Sequence, residues 1–190
     1  RYTVEDTDAE WHRFKGAQTG AIEQLGELAE KARAEAGDDA ALLFETHQMM
    51  AEDLDYEEAI EQRITEQKMN AEAAISDTAD QFAAMFEAME DTYMQARAAD
   101  VRDVSRRLLD ILSGTVAGGI ASDVPVVLAA DDLAPSETIQ MDKTKILGFI
   151  TAGGSGSSHT AILARTLGIP AIVGVGAALK ADYAGREVIV

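Results

Sequence analysis

Apolar residues recur at helical spacing through roughly the first 110 positions of the chain, then give way to short continuous apolar runs separated by turns. Thr7-Asp-Ala-Glu10 has the Thr-x-x-Glu form of a capping box, with Trp11, Phe14, Ile22, Leu25, Leu28 and Ala32 following on one face. This predicts a helix over 8–36, stopped by Gly37-Asp38-Asp39. A second helix is expected over 39–52, and Asp55 is expected to cap a third through Ile64. Asn70 opens a fourth, with Ile75, Ala79, Phe82, Phe86 and Met89 in register. A fifth starts near Asp91, carries Val101, Val104, Leu108 and Ile111, and ends at Gly114 and then Gly118-Gly119. Helices with one apolar stripe, one charged face and short connections predict a bundle.

The pattern changes after Gly118. Strands are expected over 125–130, 146–150, 171–174 and 187–190. A short helix begins at Pro135, since proline suits the first helical position. A helical run over 161–167 ends at Gly168 and Pro170. Strands separated by helices indicate an α/β unit. The expected fold is therefore α+β in two subdomains: a helical subdomain over 1–115 and an α/β subdomain over 116–190.

Composition narrows the function classes. A net charge of −18 excludes a phosphate-backbone surface, so nucleic acid is not expected as a partner. An acidic surface suits a basic protein partner, or simply solubility in a salty cytoplasm. No apolar run is long enough for a membrane span, and no signal peptide is visible. With no cysteine there is neither a disulfide framework nor thiolate chemistry. The three histidines are scattered, so no metal site is expected.

One stretch concentrates chemistry: Thr151-Ala-Gly-Gly-Ser-Gly-Ser-Ser-His159, leading into Thr160-Ala-Ile-Leu-Ala-Arg165. A strand pattern enters a loop of small residues, and the loop opens a helix with His159 in its first turn. Unpaired N–H groups and the positive end of the helix dipole suit an anion there. His159 is read as a general base, as a nucleophile towards phosphorus, or as a helix-capping residue. Arg165 lies six residues on, a nearby cation though not at the ideal helical spacing. Other loop motifs fail. There is no Gly-Lys-Ser/Thr for a P-loop, no G-x-S-x-G, and Gly174-Val-Gly176 lacks a third dinucleotide glycine. His12 falls in the first turn of the first helix and is expected to be exposed, and His47 has no assigned chemistry.

Gly-Gly followed by Ser158-His-Thr160, Ala-Ile-Leu-Ala-Arg165 and Ile169-Pro-Ala-Ile-Val-Gly174 resembles the phosphohistidine swivelling domain of Enzyme I, pyruvate phosphate dikinase and phosphoenolpyruvate synthase. Leu133-Ala-Pro-Ser-Glu-Thr-Ile139, Lys145-Ile-Leu-Gly-Phe-Ile-Thr151 and Arg97-Ala-Ala-Asp-Val-Arg-Asp-Val104 resemble Enzyme I in particular. The blocks run in the family's order over nearly the whole chain. One departure stands out. Where the family reads Gly-Gly-Arg-Thr-Ser-His, this chain has Gly154-Ser155-Gly156-Ser157-Ser158-His159, so the loop arginine is missing.

The resemblance implies a helical bundle that binds the carrier protein HPr, inserted in an α/β phosphohistidine domain of which both ends appear truncated. It implies His159 as phosphocarrier, Thr138 as the hydroxyl that orients the imidazole, and Arg165 as a charge-neutralising cation. Gly154, Ser157, Ser158 and Thr160 would form the phosphoryl-binding loop. Met49, Met50 and Arg97 would face HPr, with the acidic residues over 52–58 around them. Phosphoenolpyruvate and Mg²⁺ would belong to a separate C-terminal barrel, so this part alone has no expected cofactor and is not expected to use phosphoenolpyruvate. The expected setting is the cytoplasm. The alternatives are the Enzyme I-like module of a multi-domain phosphoryl carrier, such as a dihydroxyacetone kinase phosphotransfer subunit, and a non-catalytic docking module.

Overall fold

The computed structural model describes residues 1–115, 120 and 122–188. Five helices precede Gly114: α1 (Thr7–Ala36), α2 (Asp38–Ala51), α3 (Leu54–Thr65), α4 (Ala71–Glu87) and α5 (Thr92–Ser113). Then follow β1 (Val126–Ala130), α6 (Pro135–Ile139), β2 (Ile146–Thr151), α7 (His159–Leu167) and β3 (Ala171–Ile172). None of the described helices is long and apolar enough to cross a membrane.

The chain divides into two compact units. One holds Arg1–Glu30 and Leu42–Ala117, the other Lys31–Ala41 and Gly118–Val190. The end of α1 and the start of α2, residues 31–41, thus group with the second unit. Within the second unit, Lys143 Nζ stands 3.2 Å from Glu35 Oε2, an ion pair between segments far apart in sequence.

The helical unit is built on the stripes read from the sequence. Phe14, Ala17 and Ala21 of α1 pack with Tyr56, Ile60 and Ile64 of α3, Ala74 and Ile75 of α4, and Val101 and Leu108 of α5. Removing such faces from water supplies about 25 cal/mol per Å² of apolar surface, which is why the stripes specify the bundle. The polar pairs that bring distant segments together were not visible in the pattern. The Ser105 hydroxyl donates to the Val101 carbonyl at 2.6 Å, so the buried Tyr56 hydroxyl, 2.7 Å away, donates to Ser105. Burial pushes the Tyr56 phenol up to about 12, against the opposing effect of that hydrogen bond.

Two caps differ from expectation. Asp6, not Thr7, caps α1, its carboxylate accepting the Ala9 N–H at 2.9 Å. Glu10 is thereby released from the expected capping box and accepts from the Ala71 N–H at 2.6 Å and from Arg13 at 2.9 Å. Asp53, not Asp55, caps α3 by accepting the Tyr56 N–H at 2.9 Å. In each case a second side-chain acceptor lay one or two residues away, and two acceptors so close leave a helix start ambiguous by a residue or two in the sequence. Asp91 caps α5, and Gly114 ends it with φ +68°. The predicted stop at Gly118-Gly119 lies outside the described residues.

Among the described residues the sheet of the second unit has the order β1-β2-β3, with both pairings parallel. Its core holds Leu133, Met141, Ile146, Phe149, Ala164 and Ile169. Gly148 permits a close approach: a Cβ there would lie 2.7 Å from the Pro170 carbonyl oxygen, to which Phe149 N donates at 2.9 Å. β3 is two residues long rather than the expected 171–174, because Gly174 turns at φ +73°. Residues 187–188 have no regular structure where a strand was expected, and 189–190 lie outside the described residues.

Candidate phosphoryl-transfer site

The loop between β2 and α7 has a fixed base and an open rim. At the base, Gly153 N donates to Asp131 O at 2.7 Å, and Gly174 N donates to Gly153 O at 2.8 Å. The Thr151 hydroxyl also donates to Gly153 O, at 2.9 Å. Gly154 has φ +83°, a conformation that L side chains rarely adopt. Residues 154–157 are exposed, with the Ser155 and Ser157 hydroxyls 3.1 Å apart.

Ser158 is the N-cap of α7, its hydroxyl oxygen accepting the Ala161 N–H at 3.2 Å. A hydroxyl that accepts in this way keeps its own proton to give. His159 is therefore the first residue of α7, two positions before the start read from the apolar run, and is half-buried. The residue belongs to the helix turn whose amides have no intrahelical acceptors.

Thr138 lies on α6, which packs against α7, and is buried. Its hydroxyl donates to Ala134 O at 3.1 Å, which leaves the oxygen able to accept. Arg165 is exposed near the other end of α7. Six residues correspond to about 9 Å of rise, and helical side chains tilt back towards the N-terminus. Among the described residues its guanidinium has no hydrogen-bond or ion-pair partner.

Thr160, the other expected loop residue, follows His159 in α7. It is buried, and its hydroxyl donates to the Leu133 carbonyl at 2.7 Å. The side chain is turned into the protein, so any contribution to an anion falls to its backbone N–H. At position 156 an added Cβ would meet no atom within 4 Å, so the side chain missing relative to the family would have projected into open space.

The residues expected to face a protein partner lie in the helical unit. Met49 is 71% exposed, whereas Met50 is partly buried against the helical core. The neighbouring methionines thus divide between surface and packing. Arg97 donates to the Tyr93 hydroxyl at 2.8 Å and stands 3.9 Å from Asp100 Oδ2, with its guanidinium 5.2 Å from the Tyr93 ring centre. Sequence reasoning missed Leu42, 58% exposed and seven residues before Met49 on α2, and Leu54, 78% exposed at the start of α3. The flanking carboxylates over 52–58 were the available signal for Leu54. Two of those acids are structural: Asp53 caps α3, and Glu57 pairs with Lys15 at 2.8 Å. Burial raises the Glu57 carboxyl, but bonds from Lys15 and Gln18 outweigh it and hold the group below the usual range.

His47, which had no assigned chemistry, is fully buried. Its Nε2 stands 3.2 Å from Asp100 and its Nδ1 3.7 Å from Asp103. Among the described residues no cluster could hold a metal ion.

The family model of the PEP-utilising enzyme N-terminal region matches residues 1–97, and that of the PEP-utilising enzyme mobile domain matches 122–190. The chain is 44% identical over 174 residues to the phosphoenolpyruvate-protein phosphotransferase of Enterococcus faecalis, covering 90% of this chain and 30% of that protein. It is 38% identical over 189 residues to the Staphylococcus carnosus protein of the same name, covering 99% and 33%. The chain thus spans about a third of the length of these curated relatives. The NMR solution structure of Enzyme I (nEIt) superposes with a TM-score of 0.72 at 36% identity, covering 93% of this chain and 72% of that one. The N-terminal domain of a nitrogen Enzyme 1 superposes with a TM-score of 0.67 at 25% identity, covering 91% and 71%. The chain belongs to the PEP-utilising enzyme family and corresponds to the N-terminal part of Enzyme I.

Proposed function

We propose that this chain is the phosphoryl-carrier part of an Enzyme I, holding the phosphoryl group on His159 and exchanging it with HPr. The observation that carries the reading is the position of His159, first in α7 behind the Ser158 cap and the pinned loop over 151–154. A neutral imidazole nitrogen attacks the phosphorus of phospho-HPr. The P–N bond to the carrier breaks as the P–N bond to His159 forms, and the carrier imidazole leaves with its electron pair. Each ring keeps the proton on its other nitrogen, so no net proton moves. Amides of the first turn of α7, the Ser157 and Ser158 hydroxyls and the Arg165 guanidinium stabilise the phosphoryl oxygens. The Thr138 oxygen accepts from the imidazole N–H, which fixes the tautomer and so the attacking nitrogen.

HPr docks on the exposed apolar residues Met49 and Leu54 with Arg97 and the surrounding acids, a surface suited to a basic and apolar partner. Phosphoenolpyruvate and Mg²⁺ act in a C-terminal barrel, and the protein works in the cytoplasm. Support comes from relatives named phosphoenolpyruvate-protein phosphotransferase. The test is phosphoryl exchange between labelled phospho-HPr and this chain without phosphoenolpyruvate. Label should reach the parent and not His159→Ala. Equal labelling of both would remove His159 from the role.

A further inference from the structure

The Thr160 hydroxyl joins the two helices on which the proposed chemistry rests. Thr160 is the second residue of α7, directly after His159, and Leu133 immediately precedes the Ala134 cap of α6. The bond from Thr160 Oγ1 to Leu133 O is 2.7 Å long and buried. The acceptor segment is anchored beyond this contact. The Leu133 side chain lies in the α/β core with Phe149 and Ala164. The start of α6 is held by the Glu137 carboxylate, which accepts the Ala134 N–H at 2.7 Å. Thr138, one turn after Ala134, donates to Ala134 O and so follows that frame.

We infer that Thr160 is a positioning residue for phosphoryl transfer: its hydroxyl bolts the first turn of α7 to the lead of α6 and thereby sets His159 against Thr138. This rests on the carrier reading above. The Thr160 side chain does not touch the phosphoryl group. It acts through the Leu133 carbonyl, an acceptor that would otherwise be buried without this donor. Small displacements of a nucleophile cost rate steeply, whereas the binding of a protein donor through other residues does not depend on them.

The test compares the full chain carrying Thr160→Val or Thr160→Ser with the parent, using phospho-HPr as donor. Two quantities are read: kcat and KM for transfer, and the ring ¹⁵N shifts of His159, which report its tautomer. Valine keeps the shape and removes the donor. It should lower kcat roughly ten- to a hundredfold with KM unchanged, and should move the ring ¹⁵N shifts. Serine should recover most of the rate and the parent shifts. Unchanged kcat and shifts in Thr160→Val overturn the inference, as does a change confined to KM. If Thr160→Val does not fold, Thr160→Ser decides, because a large loss there would assign the effect to the methyl group. If parent and His159→Ala are equally unphosphorylated, the carrier reading fails and the ¹⁵N shifts alone decide the positioning.

Discussion

The Ser158 hydroxyl accepts the Ala161 N–H at 3.2 Å and so fixes where α7 begins, with His159 as its first residue. Ser158→Ala removes this cap and should cost about 1 kcal/mol, the usual value for a lost serine cap. Because the loss falls on the first turn, exchange at His159 should slow by more than global stability suggests. Thermal unfolding beside amide exchange at Thr160, Ala161 and Ile162 checks this. Ser158→Asp, which keeps the cap, should retain the stability and yet slow transfer, because a carboxylate repels the incoming phosphoryl oxygens.

Arg13 forms an ion pair with Glu72, which also accepts from Asn70 at 2.8 Å. The Arg13 hydrogen bond holds the Glu72 carboxyl at about 2, well below 4.5, despite partial burial. The folded pKa is depressed, so the stabilisation is fully present above about 4.5 and is lost as pH falls from there towards 2. The pair is about one-third exposed on each side, so salt should weaken it. Denaturant unfolding between pH 5 and 2 should show a smaller loss of stability in Glu72→Gln than in the parent.

Met49 and Met50 should separate in an alanine test. Met49→Ala should leave the melting temperature unchanged and weaken HPr binding, since 71% of the residue faces solvent. Met50→Ala should cost roughly 1–2 kcal/mol, less than a fully buried methionine, because it only partly packs against the helical core. Calorimetric binding beside thermal melts checks both. Equal effects on stability would mean that both methionines belong to the core.

The helices were legible because their apolar stripes are periodic and their ends carry glycine or a carboxylate. Phe14, Ile75 and Leu108 could be assigned to a core without knowing their partners. Asp6 against Thr7, and Asp53 against Asp55, could not be separated, because two acceptors within a turn are equivalent until the rest of the helix docks. The same limit explains Thr160. Its hydroxyl reads as a loop ligand beside His159, and only the return of the chain past Leu133, 27 residues earlier, turns it inward. The buried contacts of His47 with Asp100 and Asp103 likewise join α2 to α5 across more than fifty residues. The acids around the exposed Leu54 pointed to it only weakly, because two of them, Asp53 and Glu57, serve the fold instead.

The proposed carrier is one nitrogen of the His159 side chain. The chain should be incubated with phospho-HPr and analysed by intact-mass spectrometry under alkaline conditions that preserve phosphohistidine, beside His159→Ala. The parent should gain one phosphoryl group and the variant none. A folded parent that binds HPr yet gains no phosphoryl group would contradict the carrier role and leave the chain as a docking module.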